Sequence, residues 1–275
     1  MGKLIYDIQS YWHNDIEKPD EIARRFLDNI DSLERIDPTI SNWEVGDLTN
    51  STGHSLSKIR SDMTSLVMRN IYTHYDDDRP DSRGGYHVFA LSTDAPGQDG
   101  NNRSKHISIE AGALWRNRAE FSIGSIASPP DLSLVTYPAY RQALDVMASI
   151  WPLPWACARA MQWSDVPSRS WRPPPAGSTK EEWLASMRAV QPPSPIEVPW
   201  ILYLSAPFLA GLTPPPELTA EPTPGGGVVL SAMLERPDPD NPDHLRRARL
   251  LGQIMDQRLG VGDQLVGWGP RTGPY

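Results

Sequence analysis

The block 225–259 constrains the fold of this chain more than any other stretch of its sequence. It begins with three consecutive glycines, continues as an apolar run, and then crosses a turn rich in aspartate and proline. Asn241 is suited to cap a helix whose first position is Pro242, and apolar residues recur at helical spacing until Gly260. Local chemistry therefore predicts a strand over 227–235 followed closely by a helix, so the chain must combine a sheet with helices.

The rest of the chain repeats these two kinds of element. Apolar residues at helical spacing predict helices over residues 19–36, 55–70 and 140–150. Apolar and β-branched runs, several with period-two alternation, predict strands over residues 86–91, 105–110, 120–126 and 200–204. Because successive strands are close in sequence, antiparallel pairing is favoured. The predicted fold class is α+β, with an antiparallel or mixed sheet and helices packed on it.

Length and the placement of proline predict the domain organisation. A chain of 275 residues can bury roughly 70–75% of its extended-chain surface in one core. Prolines crowd residues 165–199, yet Thr179 and Glu182 have capping-box spacing, which predicts a short helix in a packed excursion. We therefore predict one domain over 1–260 that contains this proline-rich excursion, and a glycine-rich tail over 261–275 that frays.

Charge and cysteine usage restrict the compartment and the partners. Cys157 is the single cysteine of the chain, so no intramolecular disulfide or cysteine zinc cluster is available. The first residues lack the apolar core of a signal peptide, and no run approaches the roughly 18 apolar residues that cross a bilayer. A formal charge of −8 argues against binding to a phosphate backbone. We expect a cytoplasmic protein that binds neither membrane nor nucleic acid directly and prefers a basic partner.

A search for catalytic motifs returns one dense group of candidate ligands. His74 precedes the acidic run Asp76, Asp77 and Asp78, a set that could hold a metal ion for hydrolysis or could simply be a solvated loop. A serine nucleophile elbow, a phosphate loop and a His-Glu-x-x-His pair are absent from the sequence. The sequence predicts no catalytic set, no metal and no cofactor, and the metal-dependent hydrolase remains the rival hypothesis.

Tryptophan is abundant, and most of it is expected in the core. Trp43, Trp151, Trp155 and Trp200 lie among apolar neighbours, which favours packing with each indole N–H bonded to an acceptor. The tryptophans of the proline-rich excursion, Trp171 and Trp183, are left open between core and interface. His244, in the first turn of the last helix, is expected either to complete a helix cap or to contact a partner.

Five blocks, taken in order, resemble one known family. They are Tyr11-Trp12, residues 36–43 (IDPTISNW), residues 151–156 (WPLPWA), residues 200–204 (WILYL) and the glycine-led block 225–244. This series is similar to the immunity protein 52 family, whose members protect bacteria from their own polymorphic or type VI-secreted toxins. The resemblance implies a protein that binds a cognate toxin, with a restriction-endonuclease-like DNase as first choice, and that is not an enzyme. An adaptor that loads an effector for secretion is a further alternative.

The acidic run is the candidate partner-binding site. A series of like charges is commonly a solvated surface. The alternative is that its carboxylates bind the basic nucleic-acid groove that a nuclease toxin must carry. The chain would then inhibit the toxin either by covering the catalytic cleft with carboxylates or by docking elsewhere and blocking toxin assembly or closure. The predicted binding residues are Asp76, Asp77, Asp78 and Asp81.

Overall fold

A ten-stranded antiparallel sheet organises the part of the chain that the computed structural model describes. The described residues are 3–12, 17–47, 52–71, 85–92, 105–112, 117–123, 132–163, 196–238 and 240–259. The strands are β1 (Lys3–Trp12), β2 (Trp43–Asp47), β3 (Thr52–Ser55), β4 (Tyr86–Ser92), β5 (Lys105–Ala111), β6 (Asn117–Ile123), β7 (Trp155–Trp163), β8 (Ile196–Leu204), β9 (Thr219–Pro222) and β10 (Val228–Ser231). Their order across the sheet is β3-β2-β4-β5-β6-β1-β7-β8-β10-β9.

The helices confirm the predicted α+β class. They are α1 (Pro19–Ile36), α2 (Leu56–Ile59), α3 (Met63–Arg69), α4 (Tyr137–Ile150) and α5 (Pro242–Leu259), with short 3₁₀ turns at Arg60–Asp62 and Ala206–Phe208. The predicted helices over 19–36 and 242–259 are confirmed, whereas the helix predicted over 55–70 is interrupted by the first 3₁₀ turn. α4 begins before residue 140 because Thr136 caps it, accepting from the amide of Ala139 at 3.3 Å. The short helix predicted after Thr179 lies outside the described residues.

Two predicted strands have different limits in the structure. The strand expected over 120–126 covers residues 117–123, and the strand expected over 227–235 ends at Ser231. The amide of Ala232, just after β10, still donates to the carbonyl of Trp200 in β8 at 2.9 Å. Gly227 permits the start of β10, since a Cβ there would come within 2.6 Å of the Leu204 carbonyl oxygen.

Helices cover one face of the sheet and part of the other. α1 and α4 pack against each other, and the Phe121 ring of β6 lies 6.3 Å from the Tyr140 ring of α4. On β8, Tyr203 lies on the α4 side, and the alternating residues Leu202 and Leu204 are also fully buried. α5 packs against β8, so this strand is covered on both faces. Pro199 is tolerated inside the strand because it lies at a β-bulge opposite Ala158 and Arg159.

Candidate partner-binding site

The residues on either side of the predicted binding segment lie next to each other at the start of β4. Its candidate residues lie outside the described part of the chain: His74, Asp76, Asp77, Asp78 and Asp81. On either side of the segment, Ile71 pairs with Tyr86 in an antiparallel bridge, and the amide of His87 donates to the carbonyl of Asn70 at 3.0 Å. The acidic segment 72–84 is therefore anchored where β4 begins.

A row of polar side chains crosses the sheet from that point. His87 of β4 is directly opposite Glu110 of β5, and Glu110 is opposite Arg118 of β6. One step further along β5, Ser108 is opposite Glu120 of β6. The residues between them on each strand are buried and apolar, so these strands present one polar face and one core face. We call the face formed by His87, Ser108, Glu110, Arg118 and Glu120 the polar face.

One pair on the polar face resembles a base and a nucleophile. His87 Nε2 lies 2.9 Å from Ser108 Oγ, with Glu110 on the neighbouring strand position. Acyl transfer also needs hydrogen-bond donors aimed at the developing oxyanion. β5 is paired on both sides, so the amides flanking Ser108 belong to the two ladders, and Ser108 is only 9% exposed. The described geometry offers a hydrogen-bonding surface and does not assemble an acyl-transfer site.

His87 of the polar face and the nearby His106 of β5 favour their neutral forms. Burial lowers the pKa of His106 to about 4, and the nearby His87 and Arg118 add to that effect. Burial also lowers the pKa of His87, whereas Glu110 acts in the opposite direction. At neutral pH both rings therefore provide a donor and an acceptor without a net charge.

Ion pairs balance most of the charge near the polar face. Arg118 pairs with Glu120, and both side chains are largely buried. Arg159 of β7 holds the carboxylate of Asp7 of β1 with two bonds of 2.9 and 3.0 Å, and Asp7 is fully buried. Because both charges of the Asp7–Arg159 pair are desolvated, the pair holds β1 and β7 together and is not accessible to a partner.

An aromatic side chain extends the polar face toward the sheet edge. The ring of Phe89 lies across Gly46 of β2, where a Cβ would come within 1.9 Å of it. It also lies 5.4 Å from the ring of His87. Aromatic and arginine side chains are enriched at protein interfaces. The combination of Phe89, His87 and Arg118 on one half-buried face is suited to contact with a protein.

The tryptophans predicted for the core are in the core. Trp43, Trp151, Trp155 and Trp200 are all buried. The indole of Trp200 donates to the carbonyl of Met233 at 3.0 Å, and the indole of Trp151 donates to Asn29 Oδ1 at 3.1 Å. The remaining candidates, Trp171 and Trp183, lie outside the described residues.

His244 is engaged within the fold. Its Nδ1 accepts from the amide of Asp238 at 3.0 Å, so the Nε2–H donates to Glu235 Oε1 at 3.0 Å. Asn241 caps the same helix, accepting from the amide of Asp243 at 3.0 Å. The imidazole thus fastens the turn after β10 to α5, whereas the N-terminal amides of α5 are capped by Asn241 and not by the ring of His244.

The described ranges bear on metal binding and on membrane insertion. Within them, no group of three or more His, Cys, Asp or Glu side chains converges as a metal site would require. None of the helices in those ranges combines the length and the hydrophobicity of a transmembrane segment. The metal site considered around His74 falls outside this part of the chain.

The polar face was not predicted from the sequence, although alternating polar residues in β4 and β5 indicated it. The alternation in β4 and β5 puts His87 on one side of its strand, and Ser108 and Glu110 on one side of theirs. Pairing decides whether these sides coincide, and the register of β4 with β5 is not readable from either strand alone. Arg118 precedes the strand expected over 120–126 and was therefore not considered.

Comparisons with known proteins show the fold. No protein-family model and no curated protein matches the chain. Among solved structures, the T6SS protein PA0821 of Pseudomonas aeruginosa is 14% identical with a TM-score of 0.50, over 94% of this chain and 77% of that one. Two structures of a duplicated taurocyamine kinase from Schistosoma mansoni, 10% and 11% identical, reach a TM-score of only 0.27 and cover 32% of that protein, too little to support an argument. This chain therefore shares the fold of a T6SS protein along nearly its whole length.

Proposed function

We propose that this chain is an immunity protein of a type VI secretion or polymorphic toxin system, which binds and neutralises a cognate toxin. The observation that carries the proposal is the shared fold with a T6SS protein over 94% of the chain. The resemblance of its tryptophan and proline blocks to the immunity protein 52 family supports the finer assignment. A protector of this kind works in the cytoplasm, where a DNase toxin acts.

Neutralisation by binding alone fits the chemistry of the described surface. The polar face offers uncharged histidines, an aromatic ring and a balanced Arg118–Glu120 pair. The residues that flank segment 72–84, which contains Asp76, Asp77, Asp78 and Asp81, meet at the start of β4. Carboxylates of this segment would complement a basic nuclease cleft and accelerate association. We propose a stoichiometric inhibitor with no turnover, cofactor or metal requirement.

Co-expression tests the function. The protein encoded beside this chain's gene is produced alone and together with this chain, and survival and complex formation are measured. We expect rescue and a stable complex. Absence of both would reject the proposal. Complex formation with secretion components but no rescue would instead favour the adaptor, and metal-dependent hydrolysis lost in His74→Ala would favour the hydrolase.

A charge series tests the binding segment. Changing Asp76, Asp77, Asp78 and Asp81 to asparagine should slow association and flatten its dependence on salt, because complementary charges steer the encounter. The matched control removes the same charge from α1 and its C-cap, by changing Asp28, Asp31, Glu34 and the C-cap Asp37 to their amides. Equal association rates in both quadruple variants would show that the acidic segment is only a solvated loop.

A further inference from the structure

Two leucines are exposed close to the turn that follows β10. Leu234 is 58% exposed and Leu132 is 45% exposed, and the only other large hydrophobic residue so exposed in the described ranges is Met68. Leu234 lies in the turn that follows β10, and Leu132 lies before α4. The guanidinium of Arg236 joins the two segments by donating to the carbonyl of Leu132 at 3.1 Å.

The turn that carries Leu234 is held rigidly by its neighbours. The amide before it, at Ala232, and the carbonyl of Met233 both bond to Trp200 of β8, at 2.9 and 3.0 Å. After it, His244 of α5 binds the amide of Asp238. Leu234 is therefore exposed on an ordered support. A side chain that is already fixed loses little further entropy when a partner binds it.

The turn that carries Leu234 also carries three carboxylates and one guanidinium. Glu235 has a side chain that is 74% exposed, and Asp238 and Asp240 are exposed as well. Within the described part of the chain no lysine or arginine forms an ion pair with these three, whereas the nearby Asp243 is paired with two arginines of α5. Three carboxylates against the single guanidinium of Arg236 leave the turn beside the leucines with a net negative charge.

We propose that Leu132 and Leu234, beside Glu235, Asp238 and Asp240, form a docking surface for a protein that presents an apolar pocket edged by lysine or arginine. We call this surface the leucine patch. It rests on the proposed function, since the partner is the neutralised toxin. The leucine patch follows β10, which is six strand positions from β4 in the sheet, roughly 29 Å at about 4.8 Å per position. It is therefore a second contact region, distinct from the acidic segment.

The experiment compares three single variants of the full chain for binding to the protein encoded beside its gene. Leu234→Ser and Leu132→Ser should each weaken the complex about tenfold or more, as loss of an anchoring side chain does. Met68→Ser is the matched control, because it removes an equally exposed hydrophobic side chain from α3. Binding by the control should equal that of the unchanged chain. The triple variant Glu235→Gln, Asp238→Asn and Asp240→Asn should slow association at low salt by several-fold.

The outcomes separate the leucine patch from the function itself. Unchanged affinity in both leucine variants, with a complex still formed by the original chain, would overturn the leucine patch and leave the immunity function intact. Failure of the original chain to form a complex would overturn both. Sedimentation of this chain alone provides a further test: self-association abolished by Leu234→Ser would identify a second copy as the occupant and overturn the toxin assignment.

Discussion

The two halves of the sheet differ in the chemistry of their second face. β4, β5 and β6 have one apolar core face and one polar, partly buried face, whereas β8 is packed between α4 and α5. Their sequences show this difference. β4 alternates between buried and half-buried residues, while residues 200–204 of β8 form an unbroken buried run. Period-two alternation therefore marks a strand with one polar face, and a continuous apolar run marks a strand with two apolar faces.

The ion pair at the join between the halves gives the largest expected effect. Asp7→Asn would remove the carboxylate that holds the buried guanidinium of Arg159, and breaking a buried pair in this way costs about 3–5 kcal/mol of unfolding free energy. Chemical denaturation measures this loss. The double variant Asp7→Leu with Arg159→Met removes both charges and should recover most of the stability. If the single variant were as stable as the original chain, the pair would not be desolvated as the structure describes.

A matched pair of leucine variants tests the comparison itself. Leu202→Ala, on the α5 side of β8, should cost about 2–5 kcal/mol because it leaves a cavity in a closed layer. Leu91→Ala, on the half-buried face of β4, should cost about 1 kcal/mol or less because water replaces the lost side chain. Equal losses in the two denaturation curves would mean that both halves are covered alike.

The unfolding free energy should depend on pH through the buried ring of His106, close to the polar face. The folded pKa of His106 is about 4, below the value of about 6.5 in unfolded chains, so the unfolded state binds more protons between these values. Stability should therefore fall as the pH drops from about 6.5 toward 4. At pH 5, binding of this proton by the unfolded chain lowers the unfolding free energy by about 2 kcal/mol relative to neutral pH.

His106→Gln should reduce this acid sensitivity. The matched control is His54→Gln, which changes a histidine whose side chain is 38% exposed. Denaturation of the three proteins at pH 7.5 and pH 5 gives the comparison. Parallel losses in the original chain and the His106 variant would show that the ring of His106 is not desolvated.

The sequence by itself determined the elements whose signals are local. The helix over 19–36 was predicted because proline and acidic residues mark its start and its apolar spacing continues for five turns. The helix over 242–259 and the core positions of four tryptophans were predicted for the same kind of reason, since caps, turns and apolar neighbours act within a few residues.

Only the tertiary structure decided the rest. β1, the strand that joins the two halves, was not predicted from the sequence, because it buries Asp7 and Ser10 among its apolar residues. The buried carboxylate of Asp7 pairs with Arg159, a residue 152 positions away. The polar face likewise exists only because strand registers align His87, Glu110 and Arg118. Local propensity acts over a turn or two of chain, whereas desolvation of a charge and the pairing of strands depend on residues brought together by the whole fold.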